Sequence, residues 1–230
     1  MRARISESRR GAVALAPVAF LAAYAAVRLL RPDLVPRLIR EDGAFEYLQV
    51  LLYAATAVLA LRASLRATDP FVRWSFVVLC VAAGVVTLEE VSWGQRLLGF
   101  DTPSEIARRN TQDEMSLHNL GPLQRLLHPA YIVVGLVAGL GWLTVRRGAG
   151  RPAALLRGVL PGPATMLYFL PVAAFYAYVE ATGWPETGWL RIQDQEVFET
   201  LLAAGFAAFA LERGRRRAPR PGEADGPDTG

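Results

Sequence analysis

FVRWSFVVLCVAAGVVTLEE, residues 71–90, sets an apolar run broken only by Arg73 directly against two adjacent glutamates, Glu89 and Glu90. A bilayer-crossing helix needs about 20 predominantly apolar residues, a few less where polar ends reach the interface. The run at 71–88 therefore reads as a membrane span, and similar runs lie at 11–30, 44–61, 130–145, 159–178 and 197–211. Across 230 residues that are 53% apolar, with mean hydropathy +0.25, the apolar residues come in stretches too long for a water-soluble core. The expected fold class is all-α: a polytopic helical bundle of about six transmembrane helices over residues 1–212, with a structured outer loop at 89–129. The stretch 213–230 is rich in Pro, Gly and acid and has no apolar periodicity, so a disordered cytoplasmic tail is expected there.

Charge sorts the connections into two sets. The N-terminal segment sums to +3, the 62–73 loop to +2, the 146–158 loop to +4 and the tail from 212 to +1, while 31–43 is neutral, 89–129 sums to −2 and 179–199 to −4. By the positive-inside rule both termini are expected in the cytoplasm and the acidic connections outside, in a multi-pass protein of the plasma membrane. Ala23-Tyr24-Ala25 resembles a signal-peptidase site, but the run before it exceeds the usual h-region of about 7–15 residues. Trp74, Trp184 and Trp189 lie near span ends, where interfacial anchors are expected. The net charge of +4 follows topology and forms no aromatic-laced basic patch, so membrane lipids are expected as partners and nucleic acid is not. A single cysteine, Cys80, excludes an intrachain disulfide and a CxxC site.

Chemistry-bearing residues gather in the outer loop. Thr102-Pro103-Ser104-Glu105 carries a capping box with proline at N1, predicting a short helix to about Arg109, and a second is expected from Asp113 to Leu120, stopped by Gly121 and Pro122. An ionised carboxylate costs roughly 2.5–3.5 kcal/mol at mid-bilayer and less toward the interface, so Glu89 and Glu90 need partners, with Arg96, His118 or a metal ion as candidates. Adjacent helical positions diverge by about 100°, so one glutamate should point inward and the other toward a neighbouring helix. Glu114 and His118 share a helical face, which suits either a metal pair or a base with its orienting group; the plain alternative is a local hydrogen bond. His128, before Pro129, reads as an interfacial cap on the fourth span.

Two further outer segments, EDGAFEYL (41–48) and QDQEVFETL (193–201), share Phe-Glu-x-Leu, a faint sign of internal duplication. Glu41, Asp42 and Glu196 are explained by the preference of carboxylates for a first helical turn, whereas Glu46 and Glu199 lie deeper and call for buried polar partners. The candidate catalytic set is Glu89, Glu90, Arg96, Glu114 and His118. Glu90, Glu114 and His118 are the candidate ligands of a divalent metal. Glu46, Trp93, Gln95, Asn110, Gln112, Asn119 and Glu199 are the candidate substrate-binding groups.

The string EEVSWGQR, followed by TP and then NTQDEMSLHN, resembles a pattern in an uncharacterised family of bacterial multi-span membrane proteins, EE-x-SWGQR…TP…N-x-Q-x-E-x-x-LHN. The likeness covers Glu89 to Asn119, with EDG-x-x-E at 41–46 as a weaker element, and implies a bacterial inner membrane but no reaction. A fainter likeness is to intramembrane glutamate proteases of the CAAX-processing type, although Arg96 falls two positions late for EE-x-x-x-R. No Walker loop, GxGxxG, HExxH, GxSxG or zinc-finger spacing is present, so nothing supports ATP-driven or nicotinamide chemistry. Three functions fit: a membrane-embedded, metal-assisted hydrolase or transferase acting on a lipid or lipid-linked substrate, an ion-coupled carrier, and a non-catalytic scaffold.

Overall fold

A computed structural model describes residues 2–40, 43–108, 116 and 121–215; for residues 2–10, 96, 97, 106, 107, 121, 122, 124, 125 and 215 it describes the backbone alone. Among the described residues the fold is carried by long helices: α1 (Arg2–Leu30), α2 (Ala44–Arg66), α3 (Pro70–Glu90), α4 (Gly121–Leu140), α5 (Met166–Thr182) and α6 (Gln195–Arg215). Shorter helical pieces join them and no strand occurs among these residues. Five stretches are long and apolar enough to cross a membrane: Gly11–Leu30, Ala44–Arg66, Pro70–Glu90, Leu126–Val145 and Gly150–Thr182. Leu51, Leu65, Val78, Val81, Val133 and Val137 each leave more than half of their surface uncovered, while Gln49, Thr56 and Asp194 are fully enclosed. Apolar side chains outside and hydrogen-bonded polar ones inside are what a hydrocarbon solvent selects. The chain is a multi-pass membrane protein.

Helix α6 carries Glu196, Glu199, Glu212 and Arg213, more charge than the other long helices place within one apolar window. It lies between α2 and α5, with Val197, Leu201, Leu202, Ala203 and Ala210 buried. It runs parallel to α2 along its whole length. At one end the Gln49 amide donates to the Glu196 carboxylate (2.9 Å) and carbonyl (3.3 Å); at the other the Arg66 guanidinium donates to the Gly214 carbonyl. The stack of Phe175 on Phe198, with centroids 4.1 Å apart, closes the α5–α6 side.

Local sequence explains the helix ends. α3 starts where the Asp69 carboxylate accepts from the Phe71 amide (2.9 Å) and Pro70 occupies N1, the position where its missing N–H costs nothing. α5 stops at Gly183, whose φ of 67° is a left-handed C′ conformation, and the Trp184 amide returns to the Val179 carbonyl. α4 meets α5 through Gly135 and Gly139, one turn apart. A Cβ on Gly135 would come within 2.8 Å of the Phe169 carbonyl oxygen, and one on Gly139 within 2.6 Å of the Leu170 side chain. Small residues at this spacing let membrane helices approach to backbone contact.

Three boundaries differ from the sequence reading. The fifth span does not begin at 159: a helix ends at Val159, Leu160 is extended, and a 3-10 turn at Pro163–Thr165 precedes α5. Pro161 and Pro163 supply no amide hydrogen and disfavour helix in the residue before each, which breaks the chain there. Gly121 and Pro122 open α4, so the fourth helix begins nine residues before the expected 130. α6 continues to Arg215, past the expected domain border at 212; residues 216–230, and with them the tail, lie outside the described residues. The short helix expected from 104 is present as Ser104–Ala107.

The α4–α5 contact gives a direct test. Gly135→Val forces a methyl group against a backbone oxygen and should lower thermal stability in detergent by about 1–3 kcal/mol. Gly84→Val, where a Cβ meets nothing within 4 Å, should leave the melting temperature unchanged.

Candidate functional site

The end of α3 separates its two glutamates. Glu89 is buried and accepts a hydrogen bond from the Trp93 indole N–H. That contact depends on an unusual turn. Ser92 (φ 47°), Trp93 (φ 54°) and Gly94 (φ 82°) are consecutively left-handed, and the two non-glycine residues each sit in a conformation that costs on the order of 1–3 kcal/mol. The turn folds the indole back over the helix it has just left. Glu90, one position on, faces a different neighbour, as helical geometry requires. Its charge acts on the phenols of Tyr53 from α2 and Tyr131 from α4, and the Glu199 carboxylate acts on the same two phenols.

Glu199 is the centre of this arrangement. Its Oε1 accepts from the Tyr176 hydroxyl at 2.5 Å, and Tyr176, fully enclosed in α5, stacks on Tyr131 with centroids 4.6 Å apart. One turn earlier on α6, Glu196 takes the amide hydrogen of Gln49. The Gln49 side chain is completely buried, and its Oε1 has no hydrogen-bond partner among the described residues. Glu90, Glu196 and Glu199, the phenols of Tyr53, Tyr131 and Tyr176 and the Gln49 amide come from α2–α6: Gln49 and Tyr53 from the second and third turns of α2, Glu90 from the end of α3, Tyr131 and Tyr176 from the interiors of α4 and α5, and Glu196 and Glu199 from the first two turns of α6. A buried acceptor without a donor costs about 1–3 kcal/mol.

Two attachments frame the cluster. His128 Nδ1 lies 2.7 Å from the Glu180 carboxylate, with its ring against Tyr176 (4.9 Å) and Trp184 (4.4 Å). At 3% exposure in the interior of α4, His128 is no interfacial cap, and Trp184, stacked on it, is no simple surface anchor. Across the bundle, Asp194 is fully buried in the turn before α6. It receives Arg28 and Tyr24 from α1, each at 2.5 Å, and the Arg191 amide at 2.8 Å. The pair ties α1 to the start of α6.

Of the groups singled out in the sequence, Glu199 is bonded to Tyr176, Glu89 is engaged by Trp93, Glu90 closes α3, and Glu46 sits part-buried in the first turn of α2. Gln95 donates to the Thr102 hydroxyl at 2.7 Å, a contact inside the connection that follows α3. Arg96 lies on the short helix Gln95–Leu98 with only its backbone described. Asn110, Gln112, Glu114, His118 and Asn119 lie outside the described residues, as does the helix expected at 113–120. Among the described residues no three His, Cys, Asp or Glu side chains come together as a metal site. Tyr53, Tyr131, Tyr176 and Gln49 were missed because each falls inside or at the edge of an apolar run, where a lone polar residue gives no local signal; His128 was read as a cap and Asp194 as one acid of an exposed connection. Glu196 was assigned to the helix dipole alone.

Fold and site together define a class: an all-helical, multi-pass membrane protein with a carboxylate–phenol cluster at one end of its bundle. No family profile, curated protein or solved structure matches the chain.

Removing one partner of a buried ion pair strands the other charge, so Arg28→Leu should destabilise the protein by about 3–5 kcal/mol in thermal unfolding. Arg31→Leu, which removes an exposed pair with Asp33, should leave the melting temperature essentially unchanged.

Proposed function

We propose that the cluster is the acid–base site of a membrane-embedded hydrolase or transferase acting on a lipid or lipid-linked substrate. The observation that carries this reading is the Glu199 carboxylate bonded to the buried Tyr176 hydroxyl, with Tyr131 stacked on that phenol and the orphan acceptor of Gln49 beside Glu196, one turn earlier on α6. Ionisable groups inside a membrane bundle are costly and mark function by default. Two carboxyl groups in unlike surroundings are also a recurrent way to supply a general acid and a general base together. In this scheme Glu90 is the base, the Tyr176–Glu199 pair holds the proton delivered to the leaving group, and Gln49 Oε1 accepts from a substrate hydroxyl or amide. Arg96, Trp93 and the amides of Asn110, Gln112 and Asn119 bind the head group. Glu114 and His118, with Glu90, form the set that would hold a divalent ion.

The topology that goes with this reading has six crossings. α6 completes them, shielded by α2 and α5, and the arginine-rich connections lie in the cytoplasm of a bacterial cell, so the cluster faces outward. The alternative of an ion-coupled carrier gains less support. Carrier sites form where helices break, and the break between Val159 and Met166 lies at the arginine-rich end, away from the cluster.

Protein reconstituted with a total bacterial lipid extract should convert a lipid species visible by mass spectrometry, and Glu90→Gln or Glu199→Gln should slow that conversion by about 10²–10⁴-fold. Unchanged melting temperatures would separate chemistry from folding. Normal turnover by the double variant would sink the assignment. No turnover by the wild type, together with glutamate-dependent solute uptake into the same vesicles, would replace it with the carrier reading.

A further inference from the structure

α3 and α4 are both long and apolar enough to span a membrane, yet they are not packed on one another: α3 lies against α2, and α4 against α5. Between them is a crevice of about 330 Å³, walled by Phe76 and Leu79 of α3 and by Val134 and Ala138 of α4, with Phe206 and Phe209 of α6 as its floor. Residues 159–161 shut the end away from the carboxylate–phenol cluster. The helix that leads into them, Gly150–Val159, is seated on α3 so closely that a Cβ on Gly158 would come within 3.1 Å of Val72. Val133 and Val137, at the rim on α4, leave more than half of their surface uncovered, so the crevice opens sideways to the bilayer.

The lining decides what fills it. Ser75 brings the one hydroxyl of the lining, and that hydroxyl already donates to the Phe71 carbonyl at 2.8 Å. Water held inside a protein needs about two to four polar partners and finds no free side chain here. A helix is too large: a single turn, about 10 Å across and about 5.4 Å long, takes up roughly 400 Å³. Left empty, the walls would forfeit their dispersion contacts. A flexible hydrocarbon chain meets every condition, and the bilayer supplies it.

The same helix faces lead to the cluster. Tyr131 stands seven residues before Ala138 on α4, and Glu199 stands seven before Phe206 on α6. Seven residues make almost two turns, so each pair shares a face and lies about 10 Å apart along its axis. We infer that the crevice seats an acyl chain of the lipid on which the cluster acts, so that the substrate enters sideways between α3 and α4 with its head at Tyr131 and Glu199. What happens at the head rests on the hydrolase or transferase reading; the seat of the chain rests on the crevice alone. The shut end at 159–161 sets how deep the chain reaches, which makes the helix break ahead of α5 a stop for chain length.

The test is photolabelling of the full chain in phosphatidylethanolamine–phosphatidylglycerol vesicles that carry a trace of phospholipid with a diazirine near the end of one acyl chain. Mass spectrometry of the peptides should place more label on Leu79 and Val134 than on Val81 and Val85, which are exposed on α3 outside the crevice. Val137→Trp, at the exposed rim, should lower the label on Leu79 to the level of Val81 while the melting temperature holds. Leu136→Trp, exposed on the same helix but outside the lining, should leave it unchanged. Val133→Trp gives the same reading should Val137→Trp fold poorly. In the lipid-conversion assay Val137→Trp should raise KM for long acyl chains and spare turnover of short ones. Label on the lining no stronger than on Val81, or untouched by Val137→Trp, would overturn the seat, as would a lipid-free dimer that Val137→Trp dissociates. Label lost in Val137→Trp with turnover unaltered for every chain length would overturn the link between seat and substrate. Label on the lining with no turnover by the wild type would overturn the reading of the cluster and leave the seat standing.

Discussion

The first turn of α6 holds carboxylates that hydrocarbon does not tolerate, and the arrangement of the other helices follows from enclosing it. Glu196 is met by Gln49 of α2, Glu199 by Tyr176 of α5, and Asp194, just before the helix, by Arg28 and Tyr24 of α1. Three neighbours therefore converge on one turn of chain through polar contacts that have no competition from water. In a bilayer, apolar packing alone does not drive helices together, since lipid tails are as apolar as leucine, so interhelical hydrogen bonds and close backbone approach determine which helices meet. The Gly135–Gly139 contact of α4 with α5 supplies the close approach, and the α6 carboxylates supply the bonds.

The same enclosure gives the bundle two chemically different ends. Glu46, Glu196 and Glu199 lie in the opening turns of α2 and α6, while Arg66 and Arg213 lie where those two helices finish. Parallel α2 and α6 make this possible, because both present their acidic first turns to one side and their basic last turns to the other. The arrangement also agrees with the helix dipole, which favours negative groups at helix N-termini and positive groups at C-termini. A reversed α6 would place Glu196 and Glu199 among the arginines and leave Gln49 and Tyr176 facing alanines.

The membrane architecture was legible in the sequence because it rests on length and hydropathy, quantities that accumulate over a whole helix. Long apolar runs at 11–30, 44–61 and 71–88 needed no tertiary information. The site was legible only where acids lie at the ends of those runs, as with Glu90 and Glu199. Tyr53, Tyr131 and Tyr176 sit among alanine, valine and leucine, and nothing local distinguishes a phenol that meets a carboxylate from one that meets lipid. Periodicity also failed at 159–165, where hydropathy stays high although Pro161 and Pro163 break the helix. His128 was misread for a similar reason: its nearness to Pro129 suggested a helix start, yet α4 already begins at Gly121, which places the imidazole in the interior against Tyr176 and Trp184.

Adjacent glutamates at a helix end invite a shared role, and the turn that follows them argues for separate ones. A helix ending in ordinary fashion would stop at a glycine; here the chain enters the left-handed region at Ser92 and Trp93 first and reaches Gly94 only afterward. Such backbone strain persists only where surrounding contacts over-determine it. The contact in question is the Trp93 indole on Glu89, made possible because the reversal brings position 93 back onto the face of position 89. Glu89 thereby becomes the anchor of the turn, buried and engaged, while Glu90 is rotated by about 100° to a different side of the helix. Strain at Ser92 and Trp93 and the engagement of Glu89 are thus two sides of a single backbone reversal.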